Sequence, residues 1–113
     1  MVARNNLLEA PPYAVEQALR KLGGNLRVAR LRREQTIEEA ARRIGTGVRA
    51  VRGAESGKAS TGVGVYAALL WAYDLLDPLS GLADPLKDQE GLALAVGKES
   101  KRARKSRSLD NDF

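Results

Sequence analysis

The chain has 113 residues, which is enough for about one domain with one modest core. Hydrophobic residues make up 43% of it and only five residues are aromatic, so Leu, Ala, Val and Ile must fill that core. It contains no cysteine and no histidine. This excludes disulfides, thiolate metal sites, histidine-based catalysis and histidine-ligated metal.

The net charge of +5 is unevenly distributed. Segment 20–52 holds ten Lys and Arg against three Glu, segment 74–90 holds five acidic residues against one Lys, and segment 98–108 holds six basic residues against one Glu. Such a pattern indicates either a polyanion partner or a solvated surface. We find neither a run of about 18 apolar residues for a membrane span nor a signal peptide, so we expect a cytoplasmic, nucleoid-associated protein with no membrane partner.

The first third of the chain predicts an arm followed by two helices. Residues 1–11 have the composition of a flexible arm, and a helix is expected to begin near Pro12, since proline is tolerated in a first helical turn. Apolar residues recur at helical spacing as far as Leu22, and Gly23-Gly24 is expected to weaken or end that helix. A second helix is predicted over residues 26–34.

A capping box marks the next predicted helix. The Thr36 hydroxyl can accept a hydrogen bond from the Glu39 N–H, and the Glu39 carboxylate can reach back to the Thr36 N–H. This helix is expected to end at Gly45, and residues 45–47 are typical of a tight turn. The following helix, over residues 48–55 or 56, is short and basic, and Gly57 is expected to end it.

The last part of the chain is apolar at first and then charged. Residues 64–76 predict an apolar helix, and Pro78 can start a short helix over residues 79–83. Periodicity does not decide whether residues 91–96 form a strand or a helical turn, and segment 87–97 is a candidate dimerisation segment. Residues 98–113 are poor in apolar residues, so a disordered basic tail is expected. The predicted fold class is all-α.

The central feature is the pair of short helices and tight turn over residues 36–55. In helix-turn-helix proteins the second helix lies in the major groove, and residues near its N-terminus face base edges. The stretch LGGNLRVARLRREQTIEEAARRIGTGVRAVRGAESGK, residues 22–58, resembles the Xre/Cro repressor family in its apolar spacing, its T-x-E-E cap, its Gly45 turn and its closing E-x-G. The similarity continues through GVYAALLWAYDLLDPLSGLADP.

The resemblance implies a five-helix lambda-repressor-like domain over residues 12–86, with an extra N-terminal helix and a flexible C-terminal tail. Within this family the chain is most similar to HipB-like antitoxins, which pair with HipA-type kinase toxins. This similarity is carried by PPYAVEQALRKLG, by YAALLWAYDLLDPL and by LADPLKDQEGLALA with the basic tail. The implied function is a homodimeric repressor that binds double-stranded operator DNA and autoregulates its operon, with a HipA-like kinase toxin as candidate partner. A stand-alone Xre-family or phage-type regulator without a toxin is the alternative.

Matched position by position, the resemblance assigns roles to individual residues. Arginine can donate to guanine O6 and N7 together, which makes Arg49 the first choice for base contact. The implied base-facing residues are Val48, Arg49, Arg52 and Gly53. The implied phosphate contacts are Thr36, Ile37, Gly47, Lys58 and Thr61. An implied structural ion pair, Arg30 with Glu55, joins the first helix of the family's domain to its recognition helix.

Three positions depart from the family pattern. Gly47 stands where a serine-type cap is usual, Ala54 stands where a large aliphatic residue is usual, and Gly53 lies inside the recognition helix. Because glycine inside a helix costs about 1 kcal/mol relative to alanine, this helix is expected to be weakly capped and weakly packed.

Other chemistry is not indicated by the sequence. No recognisable nucleophile–base pair can be assembled, and the glycine-containing loops lack a full Walker or Rossmann pattern, so we expect no enzyme activity, cofactor or metal. Trp71, Tyr66 and Tyr73 are expected in the core or a dimer surface rather than in a stacking platform. The basic tail could bind DNA, bind an acidic partner or be merely solvated, and residues 109–113 are either a partner motif or an inert end.

Overall fold

The computed structural model describes residues 6–111, with side chains for residues 6–105. This part of the chain is helical and contains no strand, which confirms the all-α prediction. Its helices are α1 (Asn6–Glu9), α2 (Tyr13–Arg32), α3 (Ile37–Ile44), α4 (Val48–Glu55), α5 (Val63–Ala72), α6 (Asp77–Ser80) and α7 (Gln89–Asn111). The chain divides into two compact units between Leu79 and Ser80.

The first unit has one core, built from α2 to α5. Helix α4 packs against α2, α3 and α5, so it lies at the centre of this unit. The largest fully buried side chains are Leu26, Val51, Leu69 and Tyr73. Much of the remaining core is alanine, which lets the short helices approach one another closely. The helix that carries the predicted base contacts is therefore held from three sides.

Residues 13–32 form a single helix, so the prediction of two helices separated at Gly23-Gly24 is wrong, and the segment expected as an extra N-terminal helix is the first half of α2. The predicted start is confirmed, because Pro12 immediately precedes α2. A Cβ on buried Gly23 would lie 2.5 Å from the Ala54 carbonyl oxygen, whereas a Cβ on exposed Gly24 would meet nothing within 4 Å. Gly23 thus permits a close crossing of α2 and α4, and packing outweighs its poor helix propensity.

The segment expected to be a flexible arm contains the single helical turn α1. Residues 1–5 of that arm lie outside the described residues. At the other end of the first unit, α5 stops at Ala72, before the predicted end at residue 76, because Asp74 adopts a left-handed φ of 58°. Helix α6 spans Asp77–Ser80 rather than residues 79–83 and carries Pro78 in its first turn.

The second unit contains α7, which differs from the expected strand or turn at 91–96 and the expected disordered tail. Asp88 accepts a hydrogen bond from the Gly91 N–H at 3.0 Å and so caps the start of the helix. After Gly97 the described helix has neither glycine nor proline and is rich in Lys and Arg, which favour helix. Because this segment is poor in apolar residues it has little to bury in a core, but its local preference for a helix is unaffected.

Candidate nucleic-acid interface

The arrangement of α3, the turn and α4 is determined by residues that are close to one another in the sequence. Thr36 accepts from the Glu39 N–H at 3.1 Å while the Glu39 carboxylate accepts from the Thr36 N–H, which confirms the capping box. Gly45 ends α3 in the left-handed region, with φ of 75°, a conformation that suits glycine. Gly47 is the N-cap of α4 and offers no side-chain cap, as the sequence predicted. The turn of residues 45–47 therefore fixes how α4 leaves α3.

The four predicted base-facing residues do not share one environment. Arg49 and Arg52 are exposed and lie three residues apart, on the same side of α4. Val48 is half-buried and packs against the core, so only part of it is accessible. Gly53 is buried against the following loop, and its backbone lines the open groove beside α4. The two arginines are consequently the long exposed side chains that α4 offers to a ligand.

An open groove brings together several residues that the sequence singled out separately. It is lined by Gly47 and Arg49 from the start of α4, by Lys58 and Thr61 from the following loop, and by Val65 of α5. Ser60 and Gly62, which sequence reasoning missed, also line it. None of the described residues lining this groove is acidic. The groove therefore combines a helix N-terminus, two cations and hydroxyl groups, all of which favour an anionic ligand.

The loop that carries Lys58 and Thr61 is fixed by hydrogen bonds. The Lys58 N–H donates to the Gly53 carbonyl at 3.0 Å, and the Thr61 N–H donates to the Lys58 carbonyl at 3.2 Å. The Tyr66 hydroxyl also donates to that Lys58 carbonyl, at 2.8 Å. The turn before it depends on Gly57, whose φ is 71°. The backbone is thus held on both sides while the Lys58 side chain stays exposed.

Gly53 explains how closely this loop approaches α4. A Cβ added at Gly53 would collide with the Thr61 hydroxyl and lie 3.8 Å from Cδ of Lys58. Gly53, which the sequence predicts to weaken α4, is therefore the position at which the loop packs against α4. No local signal in the sequence indicated this contact, because its two partners are eight residues apart and meet only through the turn.

Alanine at position 53 is expected to have opposite effects in two backgrounds. In the wild-type chain, Gly53→Ala should lower the free energy of unfolding by about 1–2 kcal/mol, because the new methyl group displaces Thr61. In a Thr61→Ala background the same change should raise it by about 1 kcal/mol, the helix-propensity difference. Urea unfolding of the four proteins measures both values, and an equal effect in the two backgrounds would exclude the contact.

Thr36 and Ile37, the predicted phosphate contacts at the start of α3, lie outside the groove. Both the N–H and the hydroxyl of Thr36 donate to the Glu39 carboxylate, at 3.2 and 3.1 Å. A phosphate bound to these donors would have to displace that carboxylate. Ile37 is half-buried and packs against the core. The structure therefore gives this pair a capping and packing role.

The predicted ion pair between Arg30 and Glu55 is confirmed. Nε of Arg30 lies 2.7 Å from Oε2 of Glu55, Nη2 lies 3.0 Å from Oε1, and the two side chains are only 8% and 7% exposed. Nη1 donates to the Gln35 carbonyl at 2.9 Å. The hydrogen bond to Glu55 raises the pKa of Arg30 above its ordinary value. This bidentate pair joins α2 to the last residue of α4 and fixes its orientation.

The aromatic residues do not form a stacking platform. Tyr66 and Tyr73 are buried in the core, whereas Trp71 is 56% exposed. Burial raises the pKa of both tyrosines above its ordinary value. The Arg33 guanidinium lies 5.3 Å from the Tyr73 ring centroid and donates to the Tyr73 carbonyl, which ties the end of α2 to the end of α5.

The two buried tyrosines are expected to respond differently to loss of the hydroxyl. Tyr66→Phe should lower the free energy of unfolding by about 1 kcal/mol, because it removes the hydrogen bond to Lys58. Tyr73→Phe should be neutral or stabilising, because the buried Tyr73 hydroxyl has no hydrogen-bond partner among the described residues. Chemical denaturation compares the two, and a larger loss for Tyr73→Phe would contradict this account.

Comparison with known proteins adds no assignment: no protein-family model, curated protein or solved structure matches the chain. Among the described helices, none has both the length and the apolar character of a membrane span. The described residues also contain no group of three His, Cys, Asp or Glu side chains placed to hold a metal ion.

Proposed function

We propose that this chain is a sequence-specific DNA-binding protein, a transcriptional repressor of the Xre/Cro helix-turn-helix type, with α4 as its recognition helix. The observation that carries the proposal is the groove in which Gly47, Arg49, Lys58 and Thr61 meet with no acidic residue lining it. A short helix that is exposed at its N-terminal end and flanked by cations suits the major groove of duplex DNA.

The contacts divide between bases and backbone. Arg49, in the first turn of α4, donates to a guanine edge, and Arg52 reaches a neighbouring base or a phosphate. Lys58 and Thr61 bind phosphates beside α4, together with the Gly47 backbone, and so supply affinity that depends on salt rather than on sequence. The exposed part of Val48 lies against a thymine methyl group. The Arg30–Glu55 pair keeps α4 in place while it binds.

Selection of duplexes from a random pool, followed by affinity measurement, tests the proposal. The selected duplex should bind at least about 1,000-fold more tightly than random DNA at physiological salt. Arg49→Ala should weaken the selected duplex by about 10- to 100-fold and leave random DNA nearly unaffected. Arg27→Ala removes the same charge from the exposed surface of α2 and serves as the control. Equal affinity for selected and random duplexes would exclude a specific repressor.

We also propose that the protein acts as a homodimer. Several large apolar side chains of the first unit are exposed, and two of them, Val28 and Leu75, line one groove together with Arg32 and Arg33. Exposed apolar clusters of this kind favour association with another protein surface. Sedimentation measures the oligomeric state of the wild type and of Val28→Asp, in which a charge is placed in this groove, and so checks the dimer.

The HipA-like kinase toxin stays a prediction from the resemblance. Co-purification of this chain with such a kinase encoded beside it tests that prediction.

A further inference from the structure

The second half of α7 carries a stripe of four cations on one face of the helix. The basic stripe consists of Lys98, Lys101, Arg102 and Lys105. Their spacing of three, four and seven residues from the first confines them to an arc of about 100°. All four side chains are exposed, and none of them is in an ion pair with a described residue.

The basic stripe is not explained by the stability of the helix itself. Like charges three and four residues apart repel one another, so the arrangement opposes helix formation. Cations favour the last turn of a helix because of its dipole, but the last turn of α7 contains none. Glu99 lies about 100° around the helix from Lys98 and so falls outside the stripe. A polyanion outside the described chain would relieve this repulsion.

The rest of α7 favours nucleic acid over a membrane as that polyanion. Between residues 98 and 105, the face opposite the stripe carries Ser100 and Ala103, whereas a helix lying in a membrane surface needs large apolar residues there. The bulky apolar residues of α7 whose side chains are described lie before the stripe, close to Asp88 and Glu90, whose charges oppose an anionic surface. The phosphates of duplex DNA can instead be bound by lysine and arginine in water.

We infer that α7 is a second DNA contact, whose basic stripe binds phosphates of duplex DNA without reading its sequence. This inference rests on the proposed function, which makes duplex DNA the ligand of the first unit. It gives the chain two contacts with different tasks: α4 selects the sequence, and the stripe adds affinity for any duplex. The stripe then accounts for a large share of the salt dependence of binding.

Replacement of all four cations of the stripe by glutamine in the full chain tests this inference. Binding to a duplex of about 30 base pairs of random sequence should weaken by at least about 100-fold at 0.15 M salt. The slope of log K against log salt should become shallower by about 3–4, since each phosphate contact contributes about 0.9. The preference for the selected duplex over random DNA should not change, in contrast to the effect of Arg49→Ala.

A variant of identical composition separates the stripe from net charge. Ser100→Lys, Lys101→Ser, Arg102→Ala and Ala103→Arg together move two cations to the opposite face of α7 and leave the net charge unchanged. Both the variant and its reference carry Arg104→Gln, because Arg104 lies about 40° around the helix from position 100 and would otherwise form a new stripe with the moved cations. The slope should then become shallower by about 2. Circular dichroism checks that both variants keep the helix content of the wild type. If the rearranged variant binds DNA like its reference, position on the helix has no role and the inference is wrong.

The possible failures are distinguishable. If the wild-type chain binds no duplex DNA, the proposed function fails and this inference fails with it. If the wild type binds a selected duplex and the glutamine variant has the same salt slope, only the inference about α7 is wrong. Sedimentation with phosphatidylserine-containing vesicles tests whether the stripe binds an anionic membrane surface instead. Vesicle binding that depends on the stripe, with an unchanged salt slope for DNA, would replace DNA by a membrane and overturn the inference.

Discussion

Replacing Arg30 with methionine is expected to lower the free energy of unfolding by about 3–5 kcal/mol. The change leaves the Glu55 carboxylate, whose side chain is only 7% exposed, without its partner in the interior. It also removes the hydrogen bond to the Gln35 carbonyl, which links α2 to the segment before α3. Equilibrium unfolding in urea measures the loss. Arg27→Met removes the same charge from an exposed position of α2 and should change stability by no more than about 0.5 kcal/mol.

A double variant separates the unpaired charge from the loss of packing. Arg30→Met with Glu55→Leu should recover most of the stability lost by Arg30→Met, because a buried pair replaced by apolar residues is often neutral or stabilising. If the pair fixes the direction of α4, the double variant should nevertheless bind the selected duplex more weakly than the wild type. A loss for Arg30→Met no larger than that for Arg27→Met would show that the pair is not buried as described.

The second large effect is expected at the crossing of α2 and α4. Gly23→Ala should lower the free energy of unfolding by about 3 kcal/mol, at the upper end for overpacking. The added Cβ would lie 2.5, 2.7 and 2.8 Å from backbone atoms of Ala54, Glu55 and Gly57, so relief requires movement of the backbone. Because α4 carries the candidate DNA contacts, the same change should also weaken DNA binding.

Gly24 provides a matched control, since it is the next residue of the same helix. Its Cβ would meet nothing within 4 Å, so Gly24→Ala should raise the free energy of unfolding by about 0.5–1 kcal/mol through helix propensity alone. Thermal or urea unfolding of the two single variants compares them directly. Effects of the same sign at the two positions would contradict the close crossing at Gly23.

The features that sequence predicted well are those set by neighbouring residues. The Thr36 cap, the left-handed Gly45 and the bounds of α4 depend on hydrogen bonds and backbone preferences within a few positions. Gly23 and Gly53 gave the wrong impression for the opposite reason. Glycine usually weakens a helix. Only the folded structure shows that Gly23 allows the backbone of Ala54 to approach and that Gly53 allows Thr61 to approach.

The candidate site shows the same division. The exposure of Arg49 and Arg52 follows from helical periodicity once α4 is known, and the Arg30–Glu55 pair followed from the resemblance. The contribution of Ser60 and Gly62 to the groove did not, because it depends on how the loop folds back onto α4. Residues 98–111 are helical although they are poor in apolar residues, because local propensity and the Asp88 cap determine their conformation, whereas apolar content indicates only burial.

An amide chemical-shift map of the full chain, recorded as selected duplex DNA is added, tests whether α4 is the recognition helix. We expect the largest shifts at the groove, at residues 47–53 and 58–62, and smaller shifts at Arg27 on the exposed surface of α2. The amides of the basic stripe should shift with selected and with random DNA alike. Saturating duplex that leaves residues 47–62 unperturbed would contradict the assignment of α4 as the recognition helix.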